Sequence, residues 1–380
     1  MPGLARPLRI AVVGTRGFPD VQGGVEKHCE ELYPRLVASG CRVSVYARAG
    51  YVEKTRHEYQ GVTILPLWTL RRKNLEAVVH TFMAVLHIGF TRKHYDLVHF
   101  HAIGPSLFVP LARLFGLRVV MTHHGADYER KKWGVLGKAL LRLGEKLGTR
   151  WSTKVIAISC YGKDMLEHTY HRPVVYIPNG VTIPGRIEPG AALSGYGLAP
   201  KKYVLAVGRL VPEKGFPDLL EAFAGISTDW HLVIAGGADH EDAYADTVRN
   251  KAGRDDRVKM TGFISGGVLA ELYSQAGCFV APSYHEGLPI AVLEAMSYGL
   301  PVLATNIPGN RGLITDAGRL FTPGDIAALR ALLRERIAHP DTPGETCNDR
   351  DRILREFNWE RISEETLDVY ASCCSEEATC

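Results

Sequence analysis

Residues Ser283 to Pro301 read SYHEGLPIAVLEAMSYGLP. Just before them the apolar run CFVAP, Cys278 to Pro282, has the length and continuity of a buried parallel strand. A Gly-Pro-punctuated loop follows, and Pro289 stands where a helix takes its first residue. Glu286 then falls in the loop and Glu294 in the second helical turn. Eight residues at about 100° each bring those two positions to within roughly 80° of one another, so both carboxylates border one side. Between them the helix start offers the amides of Gly287, Leu288 and Ile290, a ready anion site. Amides hold a diphosphate and carboxylates hold diol hydroxyls, a combination that suits a sugar nucleotide. Two glutamates at this spacing also fit a solvated helix, so the flanks decide.

Outward from that stretch, strand-like and helix-like segments alternate. The second half begins at YVLAVGRL from Tyr203, then a helix from Pro217, HLVIAGG, a helix near 242–252, VKMTGF, a helix near 267–276, the opening stretch and PVLATN. Late helices are predicted near 325–338 and 359–372. The first half opens on RIAVVG (Arg9–Gly14), with a helix over 25–39 that Pro34 interrupts. CRVSVYAR, VTILPL, DLVHFHA, RVVMTHHG, KVIAIS and VVYIPNGV follow as strands, separated by helical runs. Residues 177–200 read as a linker. The alternation predicts two doubly wound parallel-sheet domains, 1–184 and 200–358, the size of each fitting one core.

Composition sets limits on function. The 380 residues are 46% hydrophobic and 23% charged, without an apolar run of the roughly 18 residues a membrane span needs. The start, MPGLARPLRI, is too short for a signal peptide. Eight scattered cysteines without a C-x-x-C pair fit a reducing cytosol and no zinc or disulfide framework. The net charge of +4 hides an asymmetry: residues 1–180 hold 26 Lys+Arg against 13 Asp+Glu, and the rest 19 against 28. Nothing in this pattern calls for a nucleic-acid partner.

Ligands of open α/β sheets bind beyond the carboxyl ends of strands. Arg209 and Lys214, in VGRLVPEKG, are two cations at such an end, able to grip a diphosphate and stabilise it as it leaves. Gly23 and Gly24 sit at a helix entrance where a backbone can approach a phosphate or sugar. The glycine spacing there is not the dinucleotide fingerprint, and Arg48 stands where a ribose-binding acid would be. His124 ends a strand in THHGADYERKKWG, with His123 competing for any role and Asp127 and Glu129 nearby. His99 and His101 alternate in a strand, and no Cys or acid completes a metal set, so no metal and no cofactor are expected.

With these residues in place, the chain resembles the retaining glycosyltransferases of family 4, enzymes of the GT-B architecture whose two Rossmann-like domains face a cleft. The resemblance rests on GTRGFPDVQGGVE, THHGADYERKKWG, IPNGV, VGRLVPEKG and EGLPIAVLE with GLPVLAT, five motifs in order. It implies that Arg209 and Lys214 bind the donor diphosphate, Glu294 the ribose diol and Glu286 the hydroxyls of the transferred sugar. It places Gly23 and Gly24 against the distal phosphate and reacting sugar, His124 at the reaction centre, and the backbone of Thr261, Gly262 and Phe263 on the base. It has the tail helix after Trp359, about 359–380, cross back onto the first domain. The chain departs from the family at Gly312, where an acid is common.

The implied reaction moves a hexosyl group from a nucleotide sugar, UDP- or dTDP-linked, to a glycan or lipid-linked acceptor of cell-envelope polysaccharide. A sugar-nucleotide isomerase (epimerase) of the same architecture is the alternative, and a non-catalytic binding module a weaker one. A glycoside hydrolase using Glu286 and Glu294 fits poorly, because cations and amides suit an anionic leaving group. The basic clusters Arg71, Arg72, Lys73 and Arg130, Lys131, Lys132, with the apolar run Leu75–Phe90, predict a cytoplasmic enzyme peripheral on the anionic inner face of the cytoplasmic membrane.

Overall fold

The computed structural model describes residues 6–53, 55–70, 75–91, 95–130, 133–182, 185, 187–238, 243–340 and 344–375. The chain divides into two compact units, Met1–Asn179 with Trp359–Cys380, and Gly180–Asn358.

In unit 1 the strands are β1 (Arg9–Val13), β2 (Arg42–Arg48), β3 (Glu58–Tyr59), β4 (Val62–Leu67), β5 (Leu97–His101), β6 (Arg118–His123), β7 (Lys154–Ala157) and β8 (Val175–Tyr176). They form one sheet in the order β3-β4-β2-β1-β5-β6-β7-β8. Its pairs are parallel, with Ile10 opposite Val43 on one side and Leu97 on the other. The exception is β3, which turns back antiparallel on β4 through Gln60 and Gly61, both at positive φ. The sheet is therefore parallel with one antiparallel edge.

The helices of this unit are α1 (Gly24–Ala38), α2 (Glu76–Phe90), α3 (Val109–Leu114), α4 (Val135–Trp151) and α5 (Cys160–Tyr170). α1 runs through Pro34 to Ala38, so the proline does not end the helix. A proline's fixed φ is helical, so a helix held by its packing can absorb one missing amide bond. The C-terminal helix Trp359–Ser375 joins this unit, burying Trp359, Ile362, Val369, Tyr370 and Cys373 in the core around β1, β2 and α1. Each such apolar side chain contributes about 1.5–3 kcal/mol relative to exposure.

Unit 2 opens with α6 (Ala191–Tyr196), inside the stretch read as linker. Glu271 holds that segment, accepting from the amides of Gly190 at 2.8 Å and Leu193 at 3.0 Å. The strands are β9 (Tyr203–Val207), β10 (His231–Ala235), β11 (Val258–Gly262), β12 (Cys278–Ala281), β13 (Val302–Thr305) and β14 (Leu320–Phe321). The helices are α7 (Phe216–Ala224), α8 (Ala243–Ala252), α9 (Gly266–Gln275), α10 (Ile290–Ser297), α11 (Pro308–Arg311), α12 (Ile326–Ala338) and α13 (Gly344–Glu356), the last not foreseen from sequence.

The strand order β11-β10-β9-β12-β13-β14, counted within the unit, is 3-2-1-4-5-6, and every pair is parallel. With β3 set aside, unit 1 follows the same order with one strand more. That is the doubly wound order, and the chain reverses direction between β1 and β5 in one unit and between β9 and β12 in the other. Those two points are where a ligand site is sought.

Candidate functional site

In unit 2 the loops after β9 and β12 flank the reversal point. The first carries Arg209 and a 3-10 turn Pro212–Lys214; the second carries Ser283 to Pro289. The loops touch closely: Tyr284 N–H donates to Glu213 O at 2.8 Å. A Cβ on Gly215 (φ +64°) would lie 2.1 Å from Pro282 O, so this position admits only glycine without rearrangement.

This approach brings Lys214 and Glu286 together, Nζ to Oε1 at 2.6 Å, both mostly shielded. Ser283 Oγ donates to the same carboxylate oxygen at 2.7 Å. Lys214, Ser283, Glu286 and Pro289 line one small pocket over Val207 and Phe216. From below, Thr305 at the end of β13 donates through Oγ1 to Ser283 O, and Asn310 Nδ2 holds Thr305 O at 2.9 Å. Gly309 lets α11 lie against the Glu286 carbonyl, since a Cβ there would come within 2.7 Å of it.

Helix α10 starts one residue later than the sequence suggests. Pro289 is its N-cap, extended at ψ 110°, and no side chain caps the helix. Pro289 O accepts from Val292 and Leu293 N–H instead, which places Gly287, Leu288 and Ile290 around the uncapped start. Glu294 is in the second turn, and the buried Tyr273 donates to its Oε2 at 2.9 Å while stacking on Tyr298. Thr261 and Gly262 end β11, two strands from β9 at the same end of the sheet, with Phe263 45% exposed beyond them. Gly312 follows α11 in helical backbone, its nearest neighbour 4.0 Å from a Cβ. Nothing in the backbone there requires glycine.

In unit 1 the loop after β1 is closed by an internal ion pair. Glu26, in the first turn of α1, accepts from Arg16 Nε at 3.1 Å and Nη2 at 3.0 Å, and from the Arg16 amide at 3.1 Å. Gly23 lies against this pair, with a Cβ only 2.1 Å from Glu26 Oε2. Gly24 is the exposed member, with open space around it. Of the two glycines singled out, Gly24 is open to a ligand, and Gly23 accommodates Arg16 and Glu26.

His123 and His124 differ in their partners. His123 closes β6 and points its Nε2 at Glu145 Oε2, 3.0 Å away and fully buried. Tyr170 donates to the other oxygen of that carboxylate at 2.9 Å. His124 turns the opposite way, Nε2 against His101 Nδ1 at 2.8 Å. His101 Nε2 in turn meets Tyr33 Oη at 2.5 Å, and Tyr33 Oη reaches His99 Nδ1 at 3.1 Å. His99 also meets Thr122 Oγ1 at 2.7 Å and Tyr370 Oη at 2.6 Å.

Burial disfavours charge throughout this network. It takes the His28 pKa down to about 4 and that of His99 to about 3, while His101 and His124 are held well below the ordinary value, first by burial and then by neighbouring histidines, His99 and His28 among them. His28 joins the group through ring contacts with His101, His124 and Trp359. The sequence flagged the H-x-H of β5 and excluded a metal set there. The structure adds a residue from another element: His28, His101 and His124 each place one ring nitrogen within 4.8 Å of the others.

Near the predicted membrane clusters, Arg130 is paired with Asp127 at 2.8 Å. Arg71, Arg72, Lys73, Lys131 and Lys132 lie outside the described residues. Residues the sequence did not single out are Ser283, Tyr273 and Thr305 around the two glutamates, and His28 with Asn179 in unit 1. Asn179 stands inside the IPNGV motif; the others carry no local signal.

Residues 22–183 match the family model described as Glycosyltransferase Family 4, and residues 197–352 that of Glycosyl transferases group 1. An O-antigen chain mannosyltransferase B of Escherichia coli is 28% identical over 183 residues, a match that spans 47% of this chain and 48% of that protein. An alpha-maltose-1-phosphate synthase of Mycobacterium tuberculosis is 27% identical over 97% of this chain and all of that one. Among solved structures, sucrose-phosphate synthase from Thermosynechococcus elongatus superposes with a TM-score of 0.84 at 23% identity, covering 98% of this chain and 100% of that one. The fold is the GT-B architecture, and these similarities support a glycosyl-transferring enzyme.

Proposed function

We infer that this chain, built of a glycosyltransferase family 4 domain followed by a group 1 domain, is a retaining hexosyltransferase that uses a nucleoside diphosphate sugar. The observation that carries the reading is the Lys214–Glu286 pair at the reversal point of unit 2, set beside the uncapped start of α10. A cation, a carboxylate and free-standing helix dipole at one strand end match the three parts of such a donor.

Arg209, Lys214 and the amides around Gly287, Leu288 and Ile290 take the diphosphate and stabilise its charge as it departs. Glu294, held by Tyr273, takes the ribose diol. Donor binding exchanges the Lys214–Glu286 pair for Lys214–phosphate and Glu286–sugar contacts. Thr261, Gly262 and Phe263 serve the base, and Gly24 and His124 the sugar side. The leaving phosphate accepts the acceptor's proton on the face it vacates, so no enzymic nucleophile is needed, and no metal either. A UDP- or dTDP-sugar donor and a glycan or lipid-linked envelope acceptor complete the proposal.

Peripheral attachment to the anionic inner membrane face is proposed through unit 1. Counting the C-terminal segment with the unit it joins, unit 1 holds 27 Lys+Arg against 19 Asp+Glu and unit 2 holds 18 against 22, net charges of +8 and −4. This is a smaller split than the halves of the sequence suggest, because the tail is acidic. An added support is α4: Leu136 (75% exposed), Leu140 and Leu143 form an outward stripe, beside the exposed Arg142, Lys146 and Arg150. Among the described residues no helix is long and apolar enough to cross a membrane.

A thermal-shift panel of UDP, GDP, dTDP and ADP tests the donor assignment. At a ligand concentration 100 times its Kd, the bound nucleotide stabilises the fold by about 2.7 kcal/mol. The expected result is a rise with UDP or dTDP, and no rise with any of the four overturns the reading. Donor consumption without acceptor points to the isomerase instead. Liposome co-sedimentation tests attachment: pelleting with anionic vesicles that falls with salt is expected, and equal pelleting with neutral vesicles overturns it.

A further inference from the structure

Three imidazoles reach one point of unit 1 from separate elements: His28 from the second turn of α1, His101 from the end of β5, and His124 from the loop after β6. Their ring centroids lie 5.1 to 5.5 Å apart. His28 and His101 are buried and His124 half-buried, so the cluster has one open side. The nitrogens turned away from the cluster are held from outside. His28 Nδ1 lies 3.0 Å from Asn179 Oδ1, and His101 Nε2 lies 2.5 Å from Tyr33 Oη.

An amide oxygen only accepts, so His28 Nδ1 carries the proton and its Nε2 keeps a lone pair toward the other rings. Such outer tethers fix the tautomer and direction of metal-binding histidines. Imidazole donors suit Zn²⁺, Co²⁺, Ni²⁺ or Cu²⁺, and three with an open side form the donor set of a tetrahedral centre whose fourth position takes water. The cluster holds no carboxylate or thiolate, which disfavours Mg²⁺ or Ca²⁺.

We propose that His28, His101 and His124 form a binding site for a transition-metal dication of the Zn²⁺ class. Binding replaces the His101–His124 hydrogen bond by two nitrogen–metal bonds. The proton shared in that bond shifts to His124 Nδ1, so all three rings enter as neutral ligands and the ion keeps its charge. Such a site does not serve transfer. Resting on the proposed role of His124 in transfer, its consequence is inhibition, because the ion occupies the ring that this role needs.

The test titrates CoCl₂ into tag-free protein stripped with chelator. One equivalent should bind with the intense visible absorption of four-coordinate Co²⁺ and be displaced by ZnCl₂. His28→Gln should abolish the spectrum with the circular-dichroism melt preserved. Asn179→Leu, which removes the outer tether and leaves all three rings in place, should weaken affinity by about 10- to 100-fold. An unchanged spectrum in both variants, or weak six-coordinate absorption in the parent protein, overturns the site. Transfer assays then separate the two readings. Co²⁺ or Zn²⁺ bound without inhibition removes His124 from the reaction centre and leaves the metal site standing. Absence of binding overturns the metal site and leaves the transfer reading untouched.

Discussion

The two units share a strand order and differ in what they carry at its reversal point. Unit 2 places charge there: Arg209, Lys214, Glu286 and Glu294 around an uncapped helix. Unit 1 places glycine, a self-neutralised Arg16–Glu26 pair and a histidine–tyrosine network that burial keeps neutral. The backbone device is the same in both. Gly14 after β1 would put a Cβ 2.3 Å from His101 O, as Gly215 after β9 would against Pro282 O, so each loop lies against the one across the reversal. The fold supplies the place and the side chains the chemistry. On the proposed reading, one unit meets an anion and the other a neutral ring.

Removing charge from unit 2 should therefore have the largest effect. Arg209→Ala or Lys214→Ala lowers turnover by about 10²-fold or more, the loss expected when one charge-stabilising donor is deleted. Folding changes little, since both residues lie in the loop after β9 and neither belongs to the apolar core. A steady-state transfer assay beside a thermal melt checks this, and near-parental rates in either variant break the contrast between the units.

Acid should act on unit 1 first. His80, fully buried in α2, has its pKa taken to about 4 by burial and then by the Arg48 guanidinium. Unfolded, it titrates near 6.5. Between those values the unfolded chain binds a proton that the folded one refuses, so stability falls as pH falls through that window, by about 3 kcal/mol for this group at the lower end. In unit 2 the carboxylates Asp255 and Glu271 are held below their ordinary values by Arg257 and by backbone amides respectively, so their contribution is lost only under more acidic conditions. Hydrogen exchange corrected for intrinsic rate, with chelator present, should show unit 1 opening first between pH 6.5 and 4. Replacing His80 by Leu should make that limb shallower, with the buried His28 and His99 keeping the rest of it; an unchanged limb breaks the assignment.

The same contrast explains what the sequence disclosed. Alternating strands and helices, the GT-B architecture, the strand-end positions of Arg209 and Glu286 and the place of Glu294 in the second turn of α10 were legible, because continuous apolar runs and loop motifs are local signals. The helix Ala191–Tyr196 was hidden because its anchor, Glu271, lies some eighty residues away. The histidine cluster was illegible for the same reason: His28, His101 and His124 are distant in sequence, and only the parallel order α1–β5–β6 makes them neighbours. His123 and His124 look equivalent in THHG, and only Glu145 distinguishes them.

The smallest predicted effect separates the two glutamates within unit 2, and it follows from their partners. Glu294 is fixed by Tyr273, itself buried and stacked on Tyr298, so its carboxylate is preorganised before any ligand arrives. Glu294→Ala removes a contact to the ribose diol and lowers nucleoside diphosphate affinity by about tenfold or more, within the range for losing a hydrogen bond to a charged group. Glu286 instead spends its charge on Lys214 and Ser283. Glu286→Ala leaves Lys214 without that partner and available to phosphate, so nucleoside diphosphate affinity should hold or rise. Transfer should fall, because the sugar loses its carboxylate. Isothermal calorimetry with the nucleoside diphosphate, set beside transfer rates, reads both quantities. Equal losses of affinity in the two variants would show that the glutamates do one job, and that the Lys214–Glu286 pair is a structural tie rather than a contact exchanged on donor binding.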